Sequence, residues 1–132
     1  MKKNKFLIKK VVSLFDGISC ARVALQKNKF SVKEYYASEI DLPAIKISLK
    51  NYPDIKHVGG VQTLNKFNFP HLFDDSIDLL IGGSPCQDLS IAKRDRKGLD
   101  GERSGLFWEY VRILKEAKPK YFILENVASM PS

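Results

Sequence analysis

The 132-residue sequence has only two cysteines, Cys20 and Cys86, and no Cys-x-x-Cys pair or Cys/His cluster. That scarcity argues against a disulfide framework and against a zinc site built on the usual ligand spacings. No apolar run approaches the length of a membrane span. The opening MKKNKFLIKK is basic but lacks a sustained apolar region and a cleavage site. It makes a poor secretory signal, so a reducing cytoplasm is the expected setting. There is no internal repeat, low-complexity tract or break in composition, and a single domain over 1–132 is expected. Acidic side chains are outnumbered, 15 against 22 Lys and Arg, for a formal net charge of +7. Such a bias suits a polyanion such as nucleic acid, though from charge alone solvated lysines on a small basic domain are the favoured account.

What is present alternates. Val11–Phe15 (VVSLF) is a short apolar run that stops at Asp16-Gly17, as a buried strand and its turn would. Ser19 can cap the helix that follows, with Ala21, Ala24 and Leu25 on its apolar side. VKEYYASEI reads as a second strand ending near Glu39. LPAIKISLKNY reads as a second helix, with Pro43 in its first turn and Ile45 and Leu49 on one face. IKHVGG and IDLLIGG read as the third and fourth strands, with a less regular stretch from Val61 to Ser76 between them. Ser90–Ser104 is polar and charged and reads as a mobile loop. GLFWEYVRILKEAK is an amphipathic helix with Leu106, Tyr110, Ile113 and Leu114 on one side, and KYFILENV is a fifth strand. Alternation of this kind predicts parallel strands with right-handed crossovers in a doubly wound α/β sheet. Ligands in such sheets bind beyond the carboxyl ends of the strands. Asp16-Gly17, Glu39, Pro85-Cys86 and Glu125-Asn126 all fall at those ends.

The chemistry of each motif can be weighed in turn. A glycine in the first turn lets a cofactor approach the backbone, and an acid at the end of the second strand can accept bonds from ribose hydroxyls. These features suit a nucleoside cofactor but do not separate a nicotinamide dinucleotide from S-adenosylmethionine. The lack of a full Gly-x-Gly-x-x-Gly counts mildly against the dinucleotide. Cys86, after a proline at a strand exit and near Lys93 and Arg94, can serve as a nucleophile. Gly82 and Gly83 leave room beside it. Cys20 fits a small buried apolar residue instead. A carboxyl group at the end of YFIL would be partly desolvated and could hold a proton near neutral pH.

Taken together, GGSPCQDLS and ENV on successive strands resemble the amino-terminal part of the cytosine-5 DNA methyltransferases. FDGIS, SEID, HVGGVQ and GERSGLFWE match weaker motifs of that family, from about Val11 to Met130. FDG and LFWE are most similar to the de novo enzymes and their phage and bacterial relatives. The resemblance implies a Rossmann-like methyltransferase fold, here stopping after the fifth strand, with S-adenosylmethionine as cofactor and DNA as partner. It implies that Cys86 attacks carbon 6 of a flipped cytosine and that Glu125 contacts the pyrimidine, while Pro85 and Asn126 shape the pocket. Phe15, Asp16, Gly17, Ile18, Ser19 and Cys20 would line the cofactor. Glu39 would take the ribose hydroxyls, Ile40 would pack on the adenine, and Gly60 and Val61 would border it. Ser90, Lys93, Arg94, Arg96 and Lys97 would lie in the loop that meets DNA phosphates. Ser19 and Cys20 stand where the family pattern often has glycines, and Gly60 stands where it usually has an acid. The later motifs and the target-recognition region are absent from these residues. The implied activity therefore calls for a complementary second polypeptide. The alternatives are an inactive truncated remnant and a nucleotide-binding module with a redox or structural cysteine. RNA is the alternative substrate to DNA.

Overall fold

The computed structural model describes residues 6–83 and 105–125, with backbone only at Gly83, Gly105–Phe107 and Glu125. Five strands and three helices follow one another: β1 (Phe6–Leu14), α1 (Cys20–Lys27), β2 (Phe30–Ser38), α2 (Leu42–Asn51), β3 (Lys56–Gly59), β4 (Leu79–Gly83), α3 (Gly105–Ala117) and β5 (Tyr121–Glu125). The irregular stretch before β4 contains two single turns of 3₁₀ helix, at Val61–Thr63 and Pro70–Leu72. The strands form one sheet in the order β3-β2-β1-β4-β5, and every pair is parallel. This is the expected doubly wound α/β arrangement.

The central strand explains the layering. Val11, Val12, Ser13 and Leu14 are all buried, so the end of β1 is covered on both faces. Continuous burial of this kind is what a parallel strand between two helical layers requires. On one face Val12, Leu14, Tyr36 and Leu80 pack with Tyr110, Ile113 and Ala117 of α3 and with Val61, Leu64, Leu72 and Ile77. On the other, Val11, Tyr35, Ala37 and Leu79 pack with Ile55, and Leu25 of α1 and Tyr52 lie against them.

Local chemistry sets the helix ends. The Asp41 side chain accepts the Ala44 amide at 3.2 Å, with Pro43 in the first turn of α2. Arg112 pairs with Glu109 and Glu116 along α3, and its Nη2 donates to the Val61 carbonyl at 3.0 Å. At the opposite end of the sheet, Asp78 accepts the Lys9 and Lys10 amides at 3.0 and 3.1 Å and pairs with Lys120 at 3.3 Å. Burial pushes the Asp78 carboxyl up, but the Lys10 amide, the Lys120 ammonium and the Lys9 amide outweigh it and hold its pKa below the usual 3.8.

Some expectations need correction. Phe15 is not the last strand residue; its φ of 55° puts it in the turn. Cys20 is exposed at the start of α1 rather than buried. The buried face of α2 is Ala44 and Ser48, not Ile45 and Leu49. This face lies one residue away because α2 meets its neighbours through small side chains, one of which is a hydrogen-bonding hydroxyl. Gly82 leaves no room for a ligand: a β-carbon there would lie 2.3 Å from two ring carbons of Tyr110, whose hydroxyl donates to the Ile123 carbonyl at 3.0 Å.

Candidate functional site

Strand order reverses between β1 and β4, since β2 and β3 lie to one side of β1 and β4 and β5 to the other. The crevice beyond the carboxyl ends at such a switch point is where open α/β sheets bind ligands. Three of five consecutive residues in the β1–α1 turn have left-handed backbones: Phe15 (φ 55°), Gly17 (φ 61°) and Ser19 (φ 72°). Gly17 takes this conformation without steric cost, and a β-carbon built on it would meet nothing within 4 Å. The space above its backbone is open. Phe15 and Ser19 adopt a conformation that side chains disfavour, and such strain gathers at functional sites.

Glu39 follows β2 and binds this turn. Its Oε1 accepts the Gly17 amide at 2.7 Å, and its Oε2 accepts the Ile40 and Asp41 amides, each at 3.1 Å. A carboxylate offers about four lone-pair sites. Three are taken, so one further hydroxyl can be accepted without displacing an amide. Next to it the strand ends are laced together: Asp16 N–H donates to the Ser38 carbonyl at 3.2 Å, and Ser38 Oγ donates to the Gly59 carbonyl at 2.8 Å.

Asp16 faces inward. Its carboxylate accepts the Tyr35 hydroxyl at 2.6 Å and a short bond from Ser19 Oγ. Burial raises the Tyr35 phenol pKa, and the charge and acceptor of Asp16 raise it further, so Tyr35 remains a donor. Ser19 also meets Ser48 Oγ at 2.6 Å, and Ser48 lies 3.5 Å from His57 Nε2. Ser19 occupies the position before α1, yet its side chain makes no capping bond. The expectation that it caps the helix is therefore corrected: the hydroxyl is committed to Asp16.

The residues expected to border an adenine divide in two. Ile40 is 75% exposed, and Ile18 and Leu42 are exposed too. Val61 is buried and packs in the core. A β-carbon on Gly60 would lie 3.2 Å from Ile40 Cγ2 and 3.1 Å from Gln62 Oε1. A side chain at position 60 would thus have to push Ile40 or Gln62 aside, which is a physical reason for glycine there.

Glu125 ends β5, where its backbone pairs with Gly83 at the end of β4. The ends of β4 and β5, distant in sequence, therefore lie side by side, with β4 next to β1. Pro85, Cys86, Ser90, Lys93, Arg94, Arg96, Lys97 and Asn126, with the loop expected over Ser90–Ser104, lie outside the described residues. Sequence reasoning missed Tyr35, Ser48 and Arg112. Each looks like an ordinary strand or helix residue, and only tertiary contact assigns it a role. Among the described residues no group of three or more His, Cys, Asp or Glu could hold a metal ion, and no helix is long and apolar enough to cross a membrane.

Comparison with known proteins gives a consistent result. The profile of the C-5 cytosine-specific DNA methylases matches residues 9–132. The chain is 38% identical over 123 residues to the orphan methyltransferase M.SPRI of Bacillus phage SPR, covering 92% of this chain and 27% of the phage protein. It is 38% identical over 121 residues to the type II methyltransferase M1.ScrFI of Lactococcus lactis subsp. cremoris, covering 92% and 29%. With the type II methyltransferase M.NlaIV of Neisseria lactamica it shares 36% identity over 125 residues, covering 92% and 28%. The chain therefore spans under a third of the length of these relatives. In fold it is similar to the S. pombe Dnmt2 methyltransferase, with a TM-score of 0.64 at 23% identity, over 91% of this chain and 34% of that one.

Proposed function

Because this chain belongs to the C-5 cytosine-specific DNA methylase family, we propose that it is the cofactor-binding and nucleophile-bearing portion of a DNA cytosine-5 methyltransferase. It would act with a complementary polypeptide segment that carries the target-recognition region. The observation that carries this reading is the register Gly83↔Glu125. It sets the ends of β4 and β5, the strands that precede the two motifs in sequence, side by side, with β4 next to β1 and its Gly17 turn, and this supports the reading.

The described residues fit S-adenosylmethionine. Gly17 leaves its backbone bare to an approaching group. Glu39 has one acceptor site left for a ribose hydroxyl. Ile40 and Ile18 offer exposed apolar surface for an adenine face. When bound, S-adenosylmethionine supplies a methyl group carried on a positively charged sulfur. Carbon 5 of cytosine is a poor nucleophile on its own. Addition of the Cys86 thiolate to carbon 6 of a flipped cytosine makes carbon 5 enamine-like, and Glu125 steadies the ring at nitrogen 3 and the exocyclic amine. After carbon 5 takes the methyl group, a base removes the carbon 5 proton. The Cys86 sulfur then leaves with its electron pair and restores the 5,6 double bond. Lys93, Arg94, Arg96 and Lys97 supply the positive charge for phosphates.

The test is transfer of a labelled methyl group to DNA, with the complementary portion supplied. Cys86→Ala should abolish transfer, and Cys20→Ala should preserve it. Transfer by the Cys86→Ala protein at the unaltered rate would overturn the mechanism and favour a binding module with a non-catalytic cysteine. No transfer by the unaltered chain with any complement would favour an inactive remnant.

A further inference from the structure

Behind the Gly17 turn, four buried polar side chains from three elements form one hydrogen-bonded chain. Tyr35 comes from β2, Asp16 and Ser19 from the turn, and Ser48 from the inner face of α2. Every donor direction in it is set. Asp16 as a carboxylate only accepts, so the Tyr35 and Ser19 hydroxyls both donate to it. The Ser19 proton is then spent, and the 2.6 Å contact between Ser19 Oγ and Ser48 Oγ must use the Ser48 proton. The Ser48 oxygen is left as an acceptor facing His57 Nε2 at 3.5 Å.

The same Ser19 is fully buried and carries φ 72°, ψ 41°. An L-residue avoids that conformation because its β-carbon crowds the following carbonyl. Its conformation and its hydroxyl are coupled, since the left-handed backbone is what turns the side chain inward to Asp16 and Ser48. Two residues away, Gly17 presents the open backbone and the Glu39 bond described above.

We infer that Ser48 and Tyr35 are positioning residues for cofactor binding: through Ser19 and Asp16 they hold the β1–α1 turn in its left-handed form. Neither reaches the cofactor surface. Serine at position 19 does by hydrogen bonding what glycine would do by conformational freedom. Ser48 therefore matters only while residue 19 carries a side chain. This inference rests on the cofactor reading above.

A mutant cycle on the full 132-residue chain, read as the dissociation constant for S-adenosylmethionine, tests it. Ser48→Ala should weaken binding about tenfold, the scale of one buried hydrogen bond. Adding Ser19→Gly should recover most of that loss, because glycine holds the left-handed turn without the network. Ser48→Cys, isosteric with a weak donor, takes the place of Ser48→Ala if the alanine protein does not fold. Tyr35→Phe should weaken binding in the serine background and much less in the glycine background. Equal losses in both backgrounds would mean that Ser48 only packs, and would overturn the inference while leaving the cofactor reading intact. No binding by the unaltered chain, with binding of a nicotinamide dinucleotide in its place, would instead overturn the cofactor reading and this inference with it.

Discussion

Replacing Gly82 with alanine should destabilise the fold, and the contact geometry says why. Gly82 pairs with Leu14 on one side and Leu124 on the other, so β4 is pinned between two strands there. The face of Gly82 is covered by the Tyr110 ring, with two ring carbons 2.3 Å from where the new methyl would sit. Real carbon contacts do not come that close. The strand cannot retreat, so the ring must move. Tyr110 is itself buried within the core and donates to the Ile123 carbonyl at 3.0 Å. Displacing it disturbs packing and strains or breaks that bond. Overpacking of a core costs about 1–3 kcal/mol, and the lost hydrogen bond adds about 1 kcal/mol. Against a domain stability of roughly 5–15 kcal/mol, that is a large fraction. The melting temperature should fall by about 10 °C, at roughly 3–5 °C per kcal/mol for a chain of this size.

The assay is thermal unfolding followed by circular dichroism. Its control is the double variant. Tyr110→Leu removes the ring and is destabilising by itself. In that background Gly82→Ala should cost less than about 1 kcal/mol, because the clash is gone. A Gly82→Ala protein that melts within about 2 °C of the unaltered chain would refute the reasoning.

Other outcomes follow from single contacts. Asp78 has a depressed folded pKa, so its contribution to stability is present above the unfolded value of 3.8 and is lost as pH falls through the folded value. Melts from pH 6 to 3 should therefore show the unaltered chain losing its advantage over Asp78→Asn only at the acid end, and parallel curves would contradict this. Cys20 is exposed, so in a Cys86→Ala background one thiol should react with a water-soluble disulfide reagent without unfolding; a protected thiol would place Cys20 in the core after all. Among the described residues β5 is the last strand on its side of the sheet, with Tyr121, Phe122 and Ile123 exposed by 73%, 56% and 52%, and exposed strands of this kind invite pairing with other chains. Lysine at Phe122 or Ile123 should reduce aggregation by light scattering, and no change would mean that this edge does not drive self-association.

The fold was legible because its signals were redundant. Most strands contain a short apolar run, and glycine, asparagine or proline lies close to most of the breaks between elements. Alternation then leaves little choice but a parallel sheet. What could not be read were features that depend on which surfaces meet. Phe15 is apolar and follows an apolar run, so pattern assigns it to β1, yet its left-handed backbone makes it the first residue of the turn. Ile45 and Leu49 are four apart and apolar, but α2 packs through Ala44 and Ser48, which no hydrophobic pattern selects. Gly82 reads in sequence as leaving room beside Cys86, whereas Tyr110, 28 positions later in the sequence, fills that space. Pro85-Cys86 and Glu125-Asn126 were legible as motifs. What no motif gives is the Gly83↔Glu125 register, which sets the ends of β4 and β5 side by side and is a property of the sheet.

The same rim bears on the proposed choice between the two nucleoside cofactors that the motifs left open. A dinucleotide brings a pyrophosphate, which favours free amides at the first turn and positive charge near them. Here the Gly17 amide is already given to Glu39 at 2.7 Å, so a carboxylate sits where a phosphate would approach. Residues 15–20 and 38–42 contain Asp16, Glu39 and Asp41 but no lysine or arginine. Of these acids, Asp16 is buried and bonded inward. The outward character of the rim is thus acidic at Glu39 and Asp41 and apolar at Ile18, Ile40 and Leu42. That surface disfavours a phosphate diester and suits a flat base, a ribose and a positively charged methyl donor. The absence of a Gly-x-Gly-x-x-Gly and the presence of Glu39 then have one physical reading: the turn holds a carboxylate against its glycine, where a pyrophosphate would meet like charge, and this supports the proposed nucleoside cofactor without phosphates.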